Sequence, residues 1–228
     1  MKMKIKRYRM DQLEEARKLQ ESCIKNHLPC PPVSWWQAEI KNDDKIEEKI
    51  ECKCNSYTRN GLNLIATAAL FLPDSIRTIS MFSDGYISYK DTNDTILDQI
   101  GWVGYSGNEV TLVLGEDSSP SSIDYVKYRD LQLGGLDAAG PTLKNAVFDN
   151  ESRKLHSYIQ KSFINNHYRG MDITIRESGV YFVPKFIDST STQNKQVLVV
   201  RDVFPEPIIL RAKKHITFTY HFELLYPS

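Results

Sequence analysis

The chain has 228 residues, 41% hydrophobic and 25% charged, which is enough to bury a continuous core without disulfide or metal staples and reads as an ordinary folded soluble protein rather than a disordered or membrane one. Lys and Arg together number 29, as do Asp and Glu, so the overall basic field with which proteins hold nucleic acid through many phosphates is absent. Any contact with an anionic partner must be local.

Met1 to Lys6 alternates apolar and cationic residues, the period of a strand with one face of each kind, suited to a sheet edge. Asp11, Glu14 and Glu15 follow where a signal peptide would carry its apolar stretch, so cytoplasmic residence is the expectation. From Asp11 to Leu28 the residues Leu13, Ala16, Leu19, Cys23, Ile24 and Leu28 recur at helical spacing, predicting an amphipathic helix that stops at Pro29. Pro29, Pro31 and Pro32 bias their predecessors towards extended geometry and predict a rigid connector ending in Trp35 and Trp36.

Ile50, Cys52 and Cys54 alternate with polar residues as a short strand, and Arg59-Asn60-Gly61 reads as a turn. The longest apolar run, Leu62 to Leu72, is broken by Asn63 and Thr67 and stops before Pro73. It is well short of the ~20 residues that span a bilayer and predicts a buried helix near 62–72. Ser75 to Phe82 and Tyr86 to Lys90 flank Asp84-Gly85, a hairpin signal, and a second pair is expected around Ser106-Gly107-Asn108.

Between Asn150 and Tyr168 the residues Leu155, Tyr158, Ile159 and Phe163 fall at helical spacing, with Gly170 placed to close the C-terminus, so a helix near 151–168 is expected. Four strands should follow, over 171–177, 180–188, 196–204 and 208–225, the last broken near Ala212 to Lys214. Short links at Ser178-Gly179 and Pro205 to Pro207 imply antiparallel pairing, because a parallel crossover needs about a dozen residues. The reading is α+β, largely antiparallel, in a single domain of residues 1–228. Residues 1–54, the N-terminal strand, helix and Pro/Trp connector, pack in this reading on a strand-rich body, 55–228.

Four constellations could carry chemistry. Cys23, His27, Cys30, Cys52 and Cys54 are zinc-type ligands, but six residues separate Cys23 from Cys30 and one separates Cys52 from Cys54, unlike a zinc knuckle. Buried free thiols explain the same residues, so no cofactor is predicted and zinc stays an open alternative. On the terminal strand, Ile216, Phe218, Tyr220, Phe222 and Leu224 make an apolar face, while His215, Thr217, Thr219, His221 and Glu223 make a polar one. Two histidines there could act as acid and base of a small hydrolase, and His215-Ile216-Thr217 looks like half of the paired H-x-T signature of the two-histidine phosphoesterases. The second half is missing, since His156, His167 and His221 lack a threonine two residues on. A solvated antiparallel face accounts for the same residues.

Leu133 to Pro141 is glycine-rich but matches neither the Walker nor the dinucleotide pattern, and reads as a connection. The last constellation is an interaction surface. Lys2, Lys4, Lys6, Arg7 and Arg9 put five cations in nine residues, able to meet anionic lipid or nucleic acid, or simply to guard an edge strand. Trp35 and Trp36 suit docking into a partner or core packing. With no catalytic motif in sight, the expected function is a non-enzymatic binding or assembly protein that contacts itself or another protein. A viral structural or matrix-type protein is one concrete form, and the small hydrolase is the alternative.

Overall fold

The computed structural model describes residues 3–26, 32–43, 45–53, 89–90, 96–97, 110–119, 136–152, 154–182 and 197–225. In chain order the described elements are β1 (Lys4–Tyr8), α1 (Met10–Lys25), β2 (Val33–Asn42), β3 (Lys45–Lys53), β4 (Tyr89–Lys90), β5 (Ile96–Leu97), β6 (Val110–Gly115), β7 (Leu136–Ala138), β8 (Leu143–Asp149), β9 (Lys154–Asn165), β10 (Ile173–Phe182), β11 (Val197–Leu210) and β12 (His215–Leu225). The protein is α+β: one N-terminal helix and two largely antiparallel sheets, with most described residues in strands. No helix among the described residues is long and apolar enough to cross a membrane. The buried helix near 62–72 and the hairpin turns at Asp84-Gly85 and Ser106 to Asn108 lie outside the described residues.

The chain forms two compact units. The first comprises Met1–Asn55, Leu133–Thr174 and Ile209–Ser228, and its centre is a seven-stranded sheet in the order β1-β3-β2-β12-β9-β7, with β8 also paired to β9. β1 joins β3 in parallel, and the other pairings of this sheet are antiparallel. One face is built by alternation: Trp36, Ala38, Ile40, Ile50, Cys52, Phe163, Ile216, Phe218 and Tyr220 are all buried, and the Trp36 and Phe218 rings stack 5.0 Å apart. Burial of this face contributes to stability at about 25 cal/mol per Å² of apolar area removed from water.

Helix α1 starts directly after β1, at Arg9, whose φ of 54° turns the chain sharply. Leu13, Arg17 and Gln20 fall on one stripe at i, i+4 and i+7, and Leu13 and Gln20 are fully buried. Asn165, also fully buried, ties the loop after β9 in place. Its side-chain amide donates to the carbonyls of Met171 and Leu210, and its oxygen accepts from the His167 backbone N–H.

The second unit comprises Ser56–Gln132 and Ile175–Ile208. It contains most of a three-stranded sheet, order β11-β10-β6, in which β10 and β6 are antiparallel. Residues 177–181 of β10 are all buried, as expected of a central strand covered on both faces.

Several expected elements are corrected. Residues 154–165 are strand β9, not a helix, because a spacing of four fits both periods: Leu155, Ile159 and Phe163 share a strand face as readily as a helix face. Eleven registered pairs with β12 decide the matter. Trp35 and Trp36 belong to β2 rather than to a stiff connector, one on each face of the sheet. Ser178-Gly179 is not a turn, since β10 runs straight through it, and Pro205 and Pro207 lie within β11. The break at Ala212 to Lys214 does separate β11 from β12, with Lys213 at φ 61°.

Candidate functional site

The second face of the large sheet is polar, and the register lays its side chains out in rows. Arg7, Glu51, Gln37, Thr219 and Gln160 make one row across β1, β3, β2, β12 and β9, and Lys49, Glu39, Thr217 and Ser162 make the next. Neighbours satisfy one another: the Gln160 amide donates to Thr219 Oγ1 at 2.9 Å, and Ser162 and Thr217 share a hydrogen bond of 2.9 Å. Glu51 takes Lys49 at 2.9 Å and Arg7 at 3.1 Å, which hold its carboxyl below the usual range against the opposing effect of burial. Thr217 and Thr219 are therefore members of a closed hydrogen-bonded lattice.

The next rows break this pattern with rings. His221 stands opposite Tyr158 on one side and Trp35 on the other, and His156 stands opposite Glu223. His156 Nε2 and His221 Nδ1 are 3.1 Å apart, close enough for one ring to donate and the other to accept a single proton. The two imidazole planes differ by 12°, and the Trp35 indole lies parallel to both, within 4° of His156 and 10° of His221. Tyr158 tilts against both histidines at 42° and 51°. Burial pushes the His221 imidazole down to about 4, with His156 and Lys49 adding to the effect and Glu51 opposing it. His221 Nε2 is buried with no hydrogen-bond partner.

Helix α1 closes one end of this ring cluster. The Arg17 guanidinium lies 5.0 Å from the Trp35 ring centre, and its Nη2 is 3.7 Å from Glu223. Lys154 holds the other Glu223 oxygen at 3.4 Å, and Gln20 donates to the Glu223 carbonyl at 3.4 Å. The Glu223 side chain is 6% exposed, so its charge depends on these partners.

The histidines singled out from the sequence do not meet. His215 and His221 are six residues apart on one strand, about 20 Å at 3.4 Å per residue, and His215 pairs with Ile164 and Lys41 instead. His156 takes the place beside His221. The helix expected near 151–168 takes it off the sheet, and Ser157 and Lys161 in the core-side row hide the strand period that would place it.

On β1, the register puts Lys4 and Lys6 on the same side of the sheet as Ile50, and Ile5 and Arg7 on the polar side. Lys6 is held by Glu48 at 3.1 Å and Arg7 by Glu51, while Lys4 and Arg9 are exposed. Lys2 lies outside the described residues. Cys23 and Cys52 are free thiols, Cys52 buried in β3 opposite Trp36. His27, Cys30 and Cys54 lie outside the described residues, and among the described ones no three metal-ligating side chains converge.

In the second unit Arg201, 1% exposed, donates from Nε to Glu177 Oε2 at 2.6 Å, lies 3.4 Å from Asp117, and donates to the Ser119 carbonyl at 3.2 Å. This is an internal charge cluster in which Glu177 and Asp117 both face the Arg201 guanidinium. Leu136 to Ala138, from the glycine-rich stretch, form β7 at the end of the sheet.

No family model matches the chain, and neither a curated protein nor a solved structure matches it. Geometry alone therefore bears on function.

Proposed function

We propose that this chain is a non-enzymatic assembly protein that pairs with a second copy of itself through the outer edge of β8. The observation that carries this reading is the exposure of β8. It lies on the outer side of β9, and Leu143, Val147 and Phe148 are 51%, 55% and 49% exposed. Sheet edges are normally guarded by charge, proline or a bulge, because an open ladder of N–H and C=O groups templates pairing with another chain. β1, at the opposite edge, carries Lys4, Lys6 and Arg7 among its five residues, whereas β8, which also contains Lys144 and Asp149, exposes Leu143, Val147 and Phe148.

The pattern of β8 also suits a copy of itself. Leu143 and Val147 lie symmetrically about Asn145 on one face, so antiparallel pairing about Asn145 sets each Leu143 opposite the partner copy's Val147. A formal net charge of zero offers no long-range repulsion to oppose this. An anionic partner for β1 has less support, since Lys6 and Arg7 already hold Glu48 and Glu51.

Sedimentation equilibrium over a range of concentrations tests the proposal. The wild-type chain is expected to form dimers that Val147→Lys reduces to monomer with an unchanged circular dichroism spectrum, since Val147 is on the surface. A wild-type chain that stays monomeric at its highest soluble concentration sinks the reading, as does a Val147→Lys variant that dimerises equally well.

A further inference from the structure

We infer that the His156–His221 pair is an acid-operated latch on helix α1. The stripe of α1 that meets the sheet reaches two residues beside the pair: Arg17 rests on Trp35 and contacts Glu223, and Gln20 donates to the Glu223 carbonyl. Trp35 covers both imidazoles, and Glu223 stands opposite His156. A change within the pair is therefore felt first by the two residues that seat the helix.

One proton between the rings makes a hydrogen bond at 3.1 Å. A second proton on the facing nitrogens leaves both as donors, so the bond is lost and one positive charge stands where the pair was neutral. The surroundings do not absorb that charge. Arg17 comes from α1, Lys49, Lys53 and Glu51 from β3, Lys154 and Tyr158 from β9, and Glu223 from β12, while the flanking residues are Trp35 and Gln37 on β2 and Asn145 and Val147 on β8. The two carboxylates are already engaged, Glu51 by Arg7 and Lys49 and Glu223 by Arg17 and Lys154. A charge on the pair competes for Glu223, the register partner of His156, and repels the Arg17 guanidinium. Both effects withdraw the contacts that seat α1. The low value reached by His221 agrees with this, because the site resists the second proton until the solution is clearly acidic.

Amide hydrogen exchange on the full chain, corrected for intrinsic rates, tests the latch. Between about pH 7.5 and pH 5 the protection of Met10–Lys25 is expected to fall about tenfold in the wild type and less than about twofold in His221→Gln, whose side chain hydrogen-bonds without titrating. An equal fall in both proteins, or none in the wild type, overturns the proposal. Should His221→Gln fail to fold, the wild type decides by NMR. The ring signals of His156 and His221 must titrate together with the loss of α1 protection, and independent titration overturns the latch.

Discussion

Glu177 occupies a fully buried strand because the residue opposite it has no side chain. β10 and β6 pair Glu177 with Gly115, and a Cβ built on Gly115 would overlap the Glu177 carboxylate. That carboxylate receives Arg201 and the Asp117 backbone N–H, at 2.6 and 3.2 Å, so it cannot move aside without leaving a buried guanidinium short of its partner. Gly115→Ala should therefore cost about 3 kcal/mol, at the upper end of the usual penalty for overpacking. The same change in a Glu177→Ala background should cost less than about 1 kcal/mol, because the obstructing atoms are gone. Urea denaturation of the four proteins in this cycle measures both values, and additive effects would rule out the steric account. None of this is legible in the sequence, where Gly115 and Glu177 are separated by more than sixty positions and neither stands in a motif. The ring cluster escaped for a related reason. His221 and the polar face of β12 were readable from alternation, but the residue that completes the pair lies on a strand whose register no local pattern supplies.

At the level of elements, local periodicity succeeded where it was unambiguous. The amphipathic helix expected over 11–28 is α1 (Met10–Lys25), the strand around Cys52 is the end of β3, β12 alternates as expected, and the N-terminal strand suited to a sheet edge is β1, paired with β3. It failed where a polar residue stands in an apolar row. On β9 the core-side row is Leu155, Ser157, Ile159, Lys161 and Phe163, and Ser157 and Lys161 hide the period of two. Lys161 faces Phe218, which is fully buried, and its ammonium lies 5.4 Å from the centre of the Phe163 ring. Burial pushes its pKa below the ordinary value, so the charged form is held at a cost. Lys161→Met keeps the length of the stem and removes the charge. It is expected to raise stability by about 1 kcal/mol at neutral pH, read from the midpoint of urea unfolding, and a lower midpoint would mean that the ring contact outweighs desolvation. The prolines of β11 show the complementary case. Their composition suggests a link, yet β11 is an outer strand of its sheet among the described residues, and Pro205 and Pro207 are exposed, as edge positions permit. Gly179, likewise read as a turn, sits inside β10 because a Cβ there would lie 3.0 Å from Leu198 and 3.1 Å from the Val200 carbonyl.

Across the whole molecule the titratable groups are unevenly divided. All five histidines, His27, His156, His167, His215 and His221, belong to the first unit, and the second has none. His221 in the folded unit titrates near 4, below its ordinary 6.5, so between these values the unfolded chain binds a proton that the folded unit refuses. Stability from this group is complete above about pH 6.5, declines as the pH falls through that window, and is gone below about 4. Glu51, whose carboxyl is held low by Lys49 and Arg7, adds a loss of the same sign as the pH falls through its own ordinary range. At pH 5 the His221 contribution amounts to about 1 kcal/mol once solvent screening at its open side is allowed for. Lowering the pH from 7 to 5 should therefore reduce hydrogen-exchange protection in β9 and β12 severalfold, after correction for intrinsic rates. Protection in the part of β10 that belongs to the second unit should stay constant. The His221→Gln variant should lose most of this difference between units, since its side chain carries no proton to be refused. Equal loss of protection in β12 and β10 on acidification would place the acid-sensitive groups elsewhere and contradict the assignment to His221.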